Sequence, residues 1–534
     1  MMTSWFQGQS LMRRLTTGLL VTWVMVWVMA GPARAQGTPC SATLSQNGKL
    51  AVPIIATDIP GQYYWANFSG PDSQGKFQLT DFGPQDPGKF TDCDAADFVT
   101  DTGEGTEGVT LTSLSVYDLA YNGKSYWADM GLLPVGADGK WNFKVGRAGL
   151  NGSSRSSGIR KGPYLLYNGD NTSMTVMWQT EDNTKQATIA WGPSPSNYQF
   201  GPFVVKSNGN GKNQRQFSYN ITQLTPNTLT YYQVVVDGEV LVGSFRTAPD
   251  SSATSLTFYA LGDTRDGIQP FDALSQQILT DMQNSPTLLV HAADYALHGL
   301  SEHYWDFDLF NRDSVNTLKL FTMLQMMGPL GNHEGYPGSS FHLDLVNIGL
   351  LFYKYFPYSF YVQPIQHDRP VHFYYSFGYG PAHFAMLDTW SYSKGMPDST
   401  QLSWLQQDLT SSKPWKIVTL HTPIIDCCSS QPDLAAAVTP LLKAGGVQMV
   451  IQGHRHYYSR VTQNGIVYLT LGGGGAKLTP ANKILPDAIG IEAFHYAKIS
   501  LKDNTAAVSV RCQTGTDSNC PHDGYEIDSF TITR

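Results

Sequence analysis

Residues 447–456 read Val-Gln-Met-Val-Ile-Gln-Gly-His-Arg-His, an apolar run that ends on two histidines separated by one residue. Four other runs in this half of the chain also lead to polar residues. They are 255–261 before Gly262-Asp263, 287–293 before Asp294, 321–327 before Gly331-Asn332-His333-Glu334, and 416–420 before His421. With helical patterns between them, as at 271–282 and 400–409, these runs predict a layered α/β domain. Polar groups at the carboxyl ends of neighbouring strands converge in one crevice, which is the expected active site.

The polar residues at these strand ends are candidate metal ligands. Asp, Asn and His supply the oxygen and nitrogen donors that zinc, manganese and iron accept, and the set exceeds what one tetrahedral ion uses. Singly, each residue could be a turn or loop residue, but together they favour two ions about 3.5–4 Å apart, bridged by a carboxylate such as Asp294. Such a pair activates water and clamps a phosphoryl oxygen, so phosphate-ester hydrolysis is the predicted reaction. The set is Asp263, Asp294, Asn332, His421, His454 and His456.

Upstream of this domain the sequence changes character. Residues 161–248 contain strand-like runs such as 173–180, 187–191 and 229–236, and this pattern predicts a β-sandwich. Residues 36–150 alternate aromatic segments with Gly, Pro and Asp turns and predict a β-rich domain, whose role and partner are unknown. The Ser- and Gly-rich residues 151–160 predict a flexible linker, and residues 249–534 form the α/β domain.

The first 35 residues predict a cleaved secretory signal. Arg13 and Arg14 precede an apolar run from Leu15 to Ala30, and a small-x-small site ends at Ala35. An uncleaved anchor is the alternative, but about 16 apolar residues are short for the roughly 20 of a spanning helix. No later run reaches this length. We therefore expect a secreted, periplasmic or extracellular protein, without a membrane span once mature.

Composition excludes two other classes of protein. Hydrophobic residues make up 41% of the 534 residues, too many for a chain that is mainly disordered. The formal net charge of −8 gives no basic surface for nucleic acid.

Six cysteines behind a secretory signal favour disulfides over metal thiolates. Sequence proximity suggests that Cys40 pairs with Cys93 and Cys512 with Cys520. The adjacent Cys427 and Cys428 either form a vicinal bridge or remain thiols.

Taken in order, these motifs resemble those of the calcineurin-like metallophosphoesterases over roughly residues 255–478. The preceding segment, with Gly162-Pro-Tyr and Phe245-Arg-Thr-Ala-Pro249, is similar to the fibronectin type III-like domain that precedes the catalytic domain of purple acid phosphatases. The resemblance implies an αββα catalytic domain and an acid phosphatase-like hydrolase with two metal ions and a small phosphorylated substrate. Phosphomonoesters are favoured, with phosphodiesters as the alternative. A secreted binding protein with a decayed catalytic site is the alternative from another class.

The resemblance also implies a role for each residue of the candidate site. Asp263 and His456 would bind the first metal ion, Asp294 would bridge, and the second ion would have the ligands Asn332, His421 and His454. His333 would be the acid or electrostatic partner at the phosphate or leaving group, and a structural contact is its alternative.

Three positions depart from the family pattern. Ala293 replaces a glycine before the bridging aspartate. Leu297 stands where purple acid phosphatases have a tyrosine, and Tyr295, adjacent to Asp294, is expected to point elsewhere. An iron–tyrosinate centre is therefore not expected.

The third departure is Arg265, which stands where many members have a metal-binding histidine. Arginine stays protonated and cannot ligate a metal ion, but its planar fork suits phosphate oxygens. Arg265 is therefore a candidate catalytic and substrate-binding residue, and a water, Asp266 or His298 would complete the first metal site. His298 and the nearby His303 otherwise contact either substrate or solvent.

Overall fold

The structure is a computed structural model that describes residues 159–534 almost continuously. The gaps in that range are 182–185, 212–213, 266–267, 284, 298, 300–303, 313, 336–349, 363–364, 367–368, 371, 392–394 and 516–517. Before residue 159 it describes eight strands between residues 42 and 150, with residue 70. The proposed signal, linker residues 151–158, Cys40, Cys93, Asp266, His298 and His303 lie outside the described residues.

The chain divides into two compact units, and the eight strands before residue 155 belong to the first. They form one sheet in the order β1-β2-β3-β4-β8-β7-β6-β5, and further pairings of β1 with β6 and β2 with β5 close it on itself. Leu50 and Val52, like Ala66 and Phe68, are buried at the two-residue spacing of a strand face. This confirms the predicted β-rich region. The strands are β1 (Ala42–Leu44), β2 (Lys49–Thr57), β3 (Tyr63–Ser69), β4 (Lys76–Pro84), β5 (Ala96–Asp101), β6 (Thr110–Tyr121), β7 (Lys124–Leu132) and β8 (Asn142–Leu150).

The second unit begins with a β-sandwich. One sheet has the order β13-β14-β10-β9 and the other β12-β11-β15-β16. Strand β15 alternates buried and half-buried side chains, so Tyr232 and Val234 join Ile189 of the neighbouring strand and Trp178 of the other sheet in one core. The strands are β9 (Ile159–Leu166), β10 (Met174–Glu181), β11 (Ala187–Gly192), β12 (Phe200–Val204), β13 (Ser207–Gly211), β14 (Gln214–Ile221), β15 (Leu229–Val236) and β16 (Glu239–Arg246).

The remaining strands belong to the layered domain. Strands β19-β18-β17-β29-β30-β31 extend the first sandwich sheet, and β22-β23-β24-β25-β27-β26-β28 form a separate sheet. The two sheets face each other, since Phe258 of β17 contacts Phe384 of β23 edge to face. The strands are β17 (Ser255–Leu261), β18 (Leu288–His291), β19 (Gln325–Met327), β20 (Ile365–Gln366), β21 (Arg369–Pro370), β22 (Tyr375–Tyr379), β23 (Ala382–Leu387), β24 (Trp415–Leu420), β25 (Met449–Gln452), β26 (Tyr458–Gln463), β27 (Ile466–Leu471), β28 (Ile489–Ile491), β29 (Phe494–Lys502), β30 (Thr505–Gln513) and β31 (Glu526–Thr533).

Helices cover the outer faces of these sheets. Leu405, Leu434 and Val438 pack against the sheet that contains strands β23, β24 and β25. The helices are α1 (Ile268–Met282), a π-helix (Trp305–Leu309), α2 (Val315–Phe321), α3 (Asn332–Gly335), α4 (Leu350–Tyr355), α5 (Ser399–Asp408) and α6 (Pro432–Ala444). The predicted multidomain fold with an α/β domain is therefore confirmed. None of the helices in the described part of the chain has the length and apolarity to span a membrane.

The sandwich and the layered domain share a buried junction. Strand β9 pairs in parallel with β19 at Leu165 and Gln325, which makes one ten-stranded sheet. Beside it the fully buried ammonium of Lys161 lies 2.6 Å from Gln179 Oε1 and 2.5 Å from Asp306 Oδ1. Lys161 of strand β9 therefore contacts both the sandwich, at Gln179, and the layered domain, at the partly exposed Asp306.

One predicted strand is shorter than expected. Of the run 321–327, only Gln325–Met327 is a strand, because helix α2 continues into it. The amide of Thr322 donates to the carbonyl of Leu318, and that of Leu324 to Leu320, so local helical hydrogen bonds use up the start of the run.

Candidate metal centre

The strand ends bring the six predicted ligands into one crevice. Three of them have positive φ angles, a region that costs a residue with a side chain about 1–2 kcal/mol. These angles are 58° at Asp263, 56° at Asp294 and 68° at His454. Ala293, in place of the expected glycine, also has a φ of 76°, so this departure keeps the turn at the expense of backbone strain. Strain of this kind concentrates at functional sites.

Four of the donors surround one point. The Nε2 atom of His421 lies 2.8 Å from Asn332 Oδ1 and 3.2 Å from Asp294 Oδ1, and Asn332 Oδ1 lies 3.1 Å from His454 Nδ1. The Nδ1 of His421 donates to the carbonyl of Ala292, which leaves Nε2 for the crevice. Ligands bound to one ion at about 2.1 Å lie about 3 Å apart, so these donors fit a zinc, iron or manganese ion.

Asp263 and His456, the two remaining predicted ligands, lie at the other end of the crevice next to Arg265. Asp263 Oδ1 lies 3.5 Å from His456 Nε2, and both oxygens of Asp263 accept from the amide of His454 at 3.0 Å. His456 donates from Nδ1 to the carbonyl of Lys477, so its Nε2 also faces the crevice. Arg265 enters this group, with Nε 3.2 Å from Asp294 Oδ2 and Nη2 3.4 Å from His456 Nε2.

Asp294 is the electrostatic centre of the site. Its side chain is 1% exposed, and burial alone would favour the neutral acid. The positive charges of His421, His333 and Arg265 nevertheless hold the pKa of Asp294 well below its usual range. The carboxylate is therefore ionised and able to attract cations.

His333 points its Nε2 into the crevice, 3.7 Å from Asp294 Oδ2. Its Nδ1 lies 2.5 Å from the carbonyl of Leu297, to which it donates, and its amide donates to Asp294 Oδ1. The carbonyl fixes the ring, so the Nε2 position is the one that can carry or accept a mobile proton.

Two buried carboxyl groups, Glu334 and Asp308, to which the sequence assigned no role, hold the loop after Asp294. Glu334 accepts through Oε1 from the amides of Tyr295 and Ala296 and through Oε2 from Gly331. Asp308 of the π-helix accepts from the amide of Leu297 at 2.7 Å. Glu334 completes the GNHE motif, a signal that could have identified it, whereas the sequence around Asp308 carries no such signal. Burial and the charge of Asp294 raise the pKa of Glu334 to about 8.

Tyr295 points away from the ligands, as expected. Its hydroxyl donates to the carbonyl of Pro329, and its ring stacks on His291 with centroids 4.1 Å apart. His291 is itself fully buried, and burial lowers its pKa to about 3. The two rings form a rigid floor behind Asp294.

A glycine run closes the crevice beside Asp263. The amide of Gly474 donates to the carbonyl of Gly262, and that of Ala476 to the carbonyl of Asp263. A Cβ at Gly472 would lie 2.1 Å from the carbonyl oxygen of Arg455, so only glycine fits there.

The cysteines in the described part of the chain are all bonded. Cys512 pairs with Cys520, and Cys427 forms a vicinal bridge with Cys428. The proposed pair Cys40–Cys93 lies outside the described residues.

Comparisons with known proteins agree with this architecture. Residues 161–253 match the family model "Purple acid Phosphatase, N-terminal domain", and residues 256–458 match "Calcineurin-like phosphoesterase". Purple acid phosphatase 18 of Arabidopsis thaliana is 26% identical over 352 residues, covering 62% of this chain and 74% of that protein. Purple acid phosphatase 23 of the same plant is 30% identical over 161 residues, covering 27% of this chain and 33% of that protein.

Solved structures show the same fold. The purple acid phosphatase PPD1 of yellow lupin (Lupinus luteus) superimposes with a TM-score of 0.59 at 17% identity, covering 89% of this chain and 93% of that one. The structure of PhoD gives a TM-score of 0.50 at 14% identity, covering 71% and 88%. With both domain matches in sequence order, the chain contains a purple acid phosphatase N-terminal domain followed by a calcineurin-like phosphoesterase domain, the arrangement of a metal-dependent phosphatase.

Proposed function

We propose that the protein is an exported phosphohydrolase that prefers phosphate monoesters. The observation that carries this proposal is the convergence of four metal donors on one point, with Arg265 and His333 at the open side. The match to a dimetal-dependent family supports hydrolysis of phosphate esters. The preference for monoesters and the export of the protein are additional parts of our proposal.

In this proposal Asp294, Asn332, His421 and His454 hold a metal ion, and Asp263 and His456 line the other end of the crevice. A bound ion of this kind polarises a phosphoryl oxygen and lowers the pKa of water. The residues of the chain supply the remaining chemistry. Arg265 donates to phosphate oxygens and orients the substrate, because its fork matches their geometry.

His333 is the proposed acid. Its Nδ1 is committed to the carbonyl of Leu297, so a protonated ring presents its second N–H to the crevice from Nε2. As a water molecule adds to phosphorus and the P–O ester bond breaks, that proton would go to the oxygen of the departing alcohol, and the proton released by the water would pass to solvent. The short contact with the Leu297 carbonyl keeps the ring in the orientation that this transfer requires.

The charge of the site supports the preference for monoesters. A monoester carries more negative charge than a diester and offers more unsubstituted oxygens to Arg265 and to a bound cation. We expect faster hydrolysis of p-nitrophenyl phosphate than of bis(p-nitrophenyl) phosphate. Faster cleavage of the diester would reverse the assignment while leaving the metal-dependent phosphoesterase intact.

The mutational test uses two ligands. Asn332→Ala or His454→Ala should lower turnover by at least about 100-fold, because each removes a donor from the ion, while circular dichroism should show an intact fold. Near wild-type turnover in both variants would refute the proposed site. A folded wild-type protein without metal or activity would instead support a binding role.

Export rests on the sequence of the first 35 residues. We expect the exported protein to begin near Gln36, which N-terminal sequencing of protein from the cell exterior or periplasm can check. A full-length chain retained with the membrane fraction would contradict cleavage.

A further inference from the structure

The guanidinium of Arg265 lies between Asp294 and His456, two residues that the resemblance assigns to the first metal ion. Nε is 3.2 Å from Asp294 Oδ2 and Nη2 is 3.4 Å from His456 Nε2, so the group spans the bridging carboxylate and a first-ion ligand. The amide of Arg265 also donates to the carbonyl of Asp294, which anchors the residue beside the carboxylate. With 13% of its surface exposed, the side chain is mostly enclosed by the crevice.

The residues around this position do not fit a complete metal site. Asp263 and His456 remain as donors together with the shared Asp294, but Arg265 stands where many family members have a histidine, and Leu297 where purple acid phosphatases have a tyrosine. The amide of His454 donates to both carboxylate oxygens of Asp263, which lies within 4.8 Å of Asp294 and His421 and is therefore shared with the other donor set. A metal ion here would also lie against a permanently charged guanidinium, which repels it.

The donor set at the opposite end of the crevice has four donors and shares Asp294 with the end that Arg265 occupies. His421 Nε2 lies 2.8 Å from Asn332 Oδ1 and 3.2 Å from Asp294 Oδ1, and Asn332 Oδ1 lies 3.1 Å from His454 Nδ1, which are the separations expected of ligands on one ion. The two ends of the crevice therefore differ in kind. One is a ligand set, and the other is an ion pair between Arg265 and Asp294.

We propose that Arg265 replaces the first metal ion, so that the protein works with one ion, bound by Asp294, Asn332, His421 and His454, and one fixed guanidinium. The guanidinium balances the charge of Asp294 and presents its remaining N–H groups to a phosphate oxygen, a contact that a first metal ion would otherwise make. This deepens the proposed function and rests on it for the identity of the bound anion.

Metal content is the primary test. After loading with excess Mn²⁺ and desalting, the full-length protein should hold one ion per chain by elemental analysis. Its electron paramagnetic resonance should be that of an isolated ion and not of an exchange-coupled pair. His456→Ala should keep this ion, and Asn332→Ala should lose it. Two ions in the wild type, one of which is lost in His456→Ala, would overturn the proposal.

Arg265→His tests whether a histidine at this position allows a second ion to bind. It removes the cation and restores a donor at the expected position, so a second ion should bind and the spectrum should become that of a coupled pair. Arg265→Ala should keep one ion but bind inorganic phosphate at least about tenfold more weakly by calorimetry, with Arg265→Lys in between because it keeps the charge and loses the fork. One ion and wild-type phosphate affinity in both Arg265→His and Arg265→Ala would also overturn the proposal.

These outcomes separate the inference from the proposed function. A wild-type protein that hydrolyses phosphate esters with two ions would refute the single-ion site and keep the function. One that holds a single ion and binds phosphate through Arg265, yet hydrolyses no phosphate ester, would refute the function and keep the single-ion site.

Discussion

At the scale of single residues, Leu297 and the orientation of Tyr295 leave the described residues of the site without a phenolate ligand. The colour of purple acid phosphatases requires a phenolate bound to iron(III), but Leu297 offers none, and the Tyr295 hydroxyl is bonded to Pro329. We expect the iron-loaded protein to lack a visible charge-transfer band, and Tyr295→Phe to leave its spectrum unchanged. An absorption spectrum checks this. A purple protein that loses its colour in Tyr295→Phe would show that the tyrosine reaches the metal.

Single residues also show how far the sequence could be used. The six ligand candidates were predictable because each follows a strand-like run, and the ends of neighbouring strands meet at one edge. The position of the Arg265 guanidinium was not, because a flexible side chain two residues from a ligand can turn towards either solvent or the site. Asp308 was also missed, since it acts through the backbone amide of Leu297, which no side-chain motif records.

At the scale of elements, Glu334 couples the loop after β18 to the start of α3. Its two oxygens accept three backbone amides, so Glu334→Gln would turn an amino group towards at least one donor. We expect metal affinity or turnover to fall about 10–100-fold, as for other groups that orient ligands. Metal titration measures the loss, and Glu334→Asp should recover part of it. Unchanged metal binding in Glu334→Gln would show that the loop holds its shape without the carboxylate.

His495 of β29 makes stability depend on pH. The side chain is fully buried against the glycine run, and burial lowers its pKa from the usual 6.5 to about 4. Between about pH 6.5 and 4 this histidine therefore binds a proton in the unfolded chain but not in the folded chain. The free energy of unfolding falls as pH decreases through this range. The loss from this group amounts to about 3 kcal/mol.

Urea unfolding at neutral pH and near pH 4 tests the contribution of His495. We expect the pH-dependent loss of stability to be smaller in His495→Gln than in the wild type, whatever the variant's stability at neutral pH. The fully buried His291 contributes a loss of the same sign and should remain in that variant. Equal pH-dependent losses in the two proteins would exclude His495 as a source.

Elements of regular pattern were predictable, and their ends were less so. Helix α1 ends at Met282, as its apolar pattern predicts, and β15 covers the predicted residues 229–236. The strand predicted at 321–327 was wrong over its first four residues, because helical hydrogen bonds from Thr322 and Leu324 competed with strand pairing. Apolar composition alone does not distinguish these two outcomes.

At the scale of the whole molecule, we expect the first unit to be dispensable for hydrolysis. Strands β1–β8 pair only with one another among the described residues, and all proposed ligands follow residue 262. A protein beginning at residue 158 should keep turnover of p-nitrophenyl phosphate. A start at Lys161 would remove Arg160, which lies 2.5 Å from Asp306, and should give the less stable protein of the two. Loss of hydrolysis in a folded protein that begins at residue 158 would show that the first unit shapes the site.

The strand order of the ten-stranded sheet also bears on when the metal site forms during synthesis of the chain. Strand β17, which leads to Asp263, lies between β18 and β29, and its partner Leu501 is made long after the last ligand. Pairings so distant in sequence form slowly, so β17 gains its second neighbour only after the last proposed ligand has been synthesised. Under the proposed export, a chain that crosses the membrane unfolded would carry no assembled metal site. We expect the ion to be acquired at the destination, from whatever supply that compartment holds.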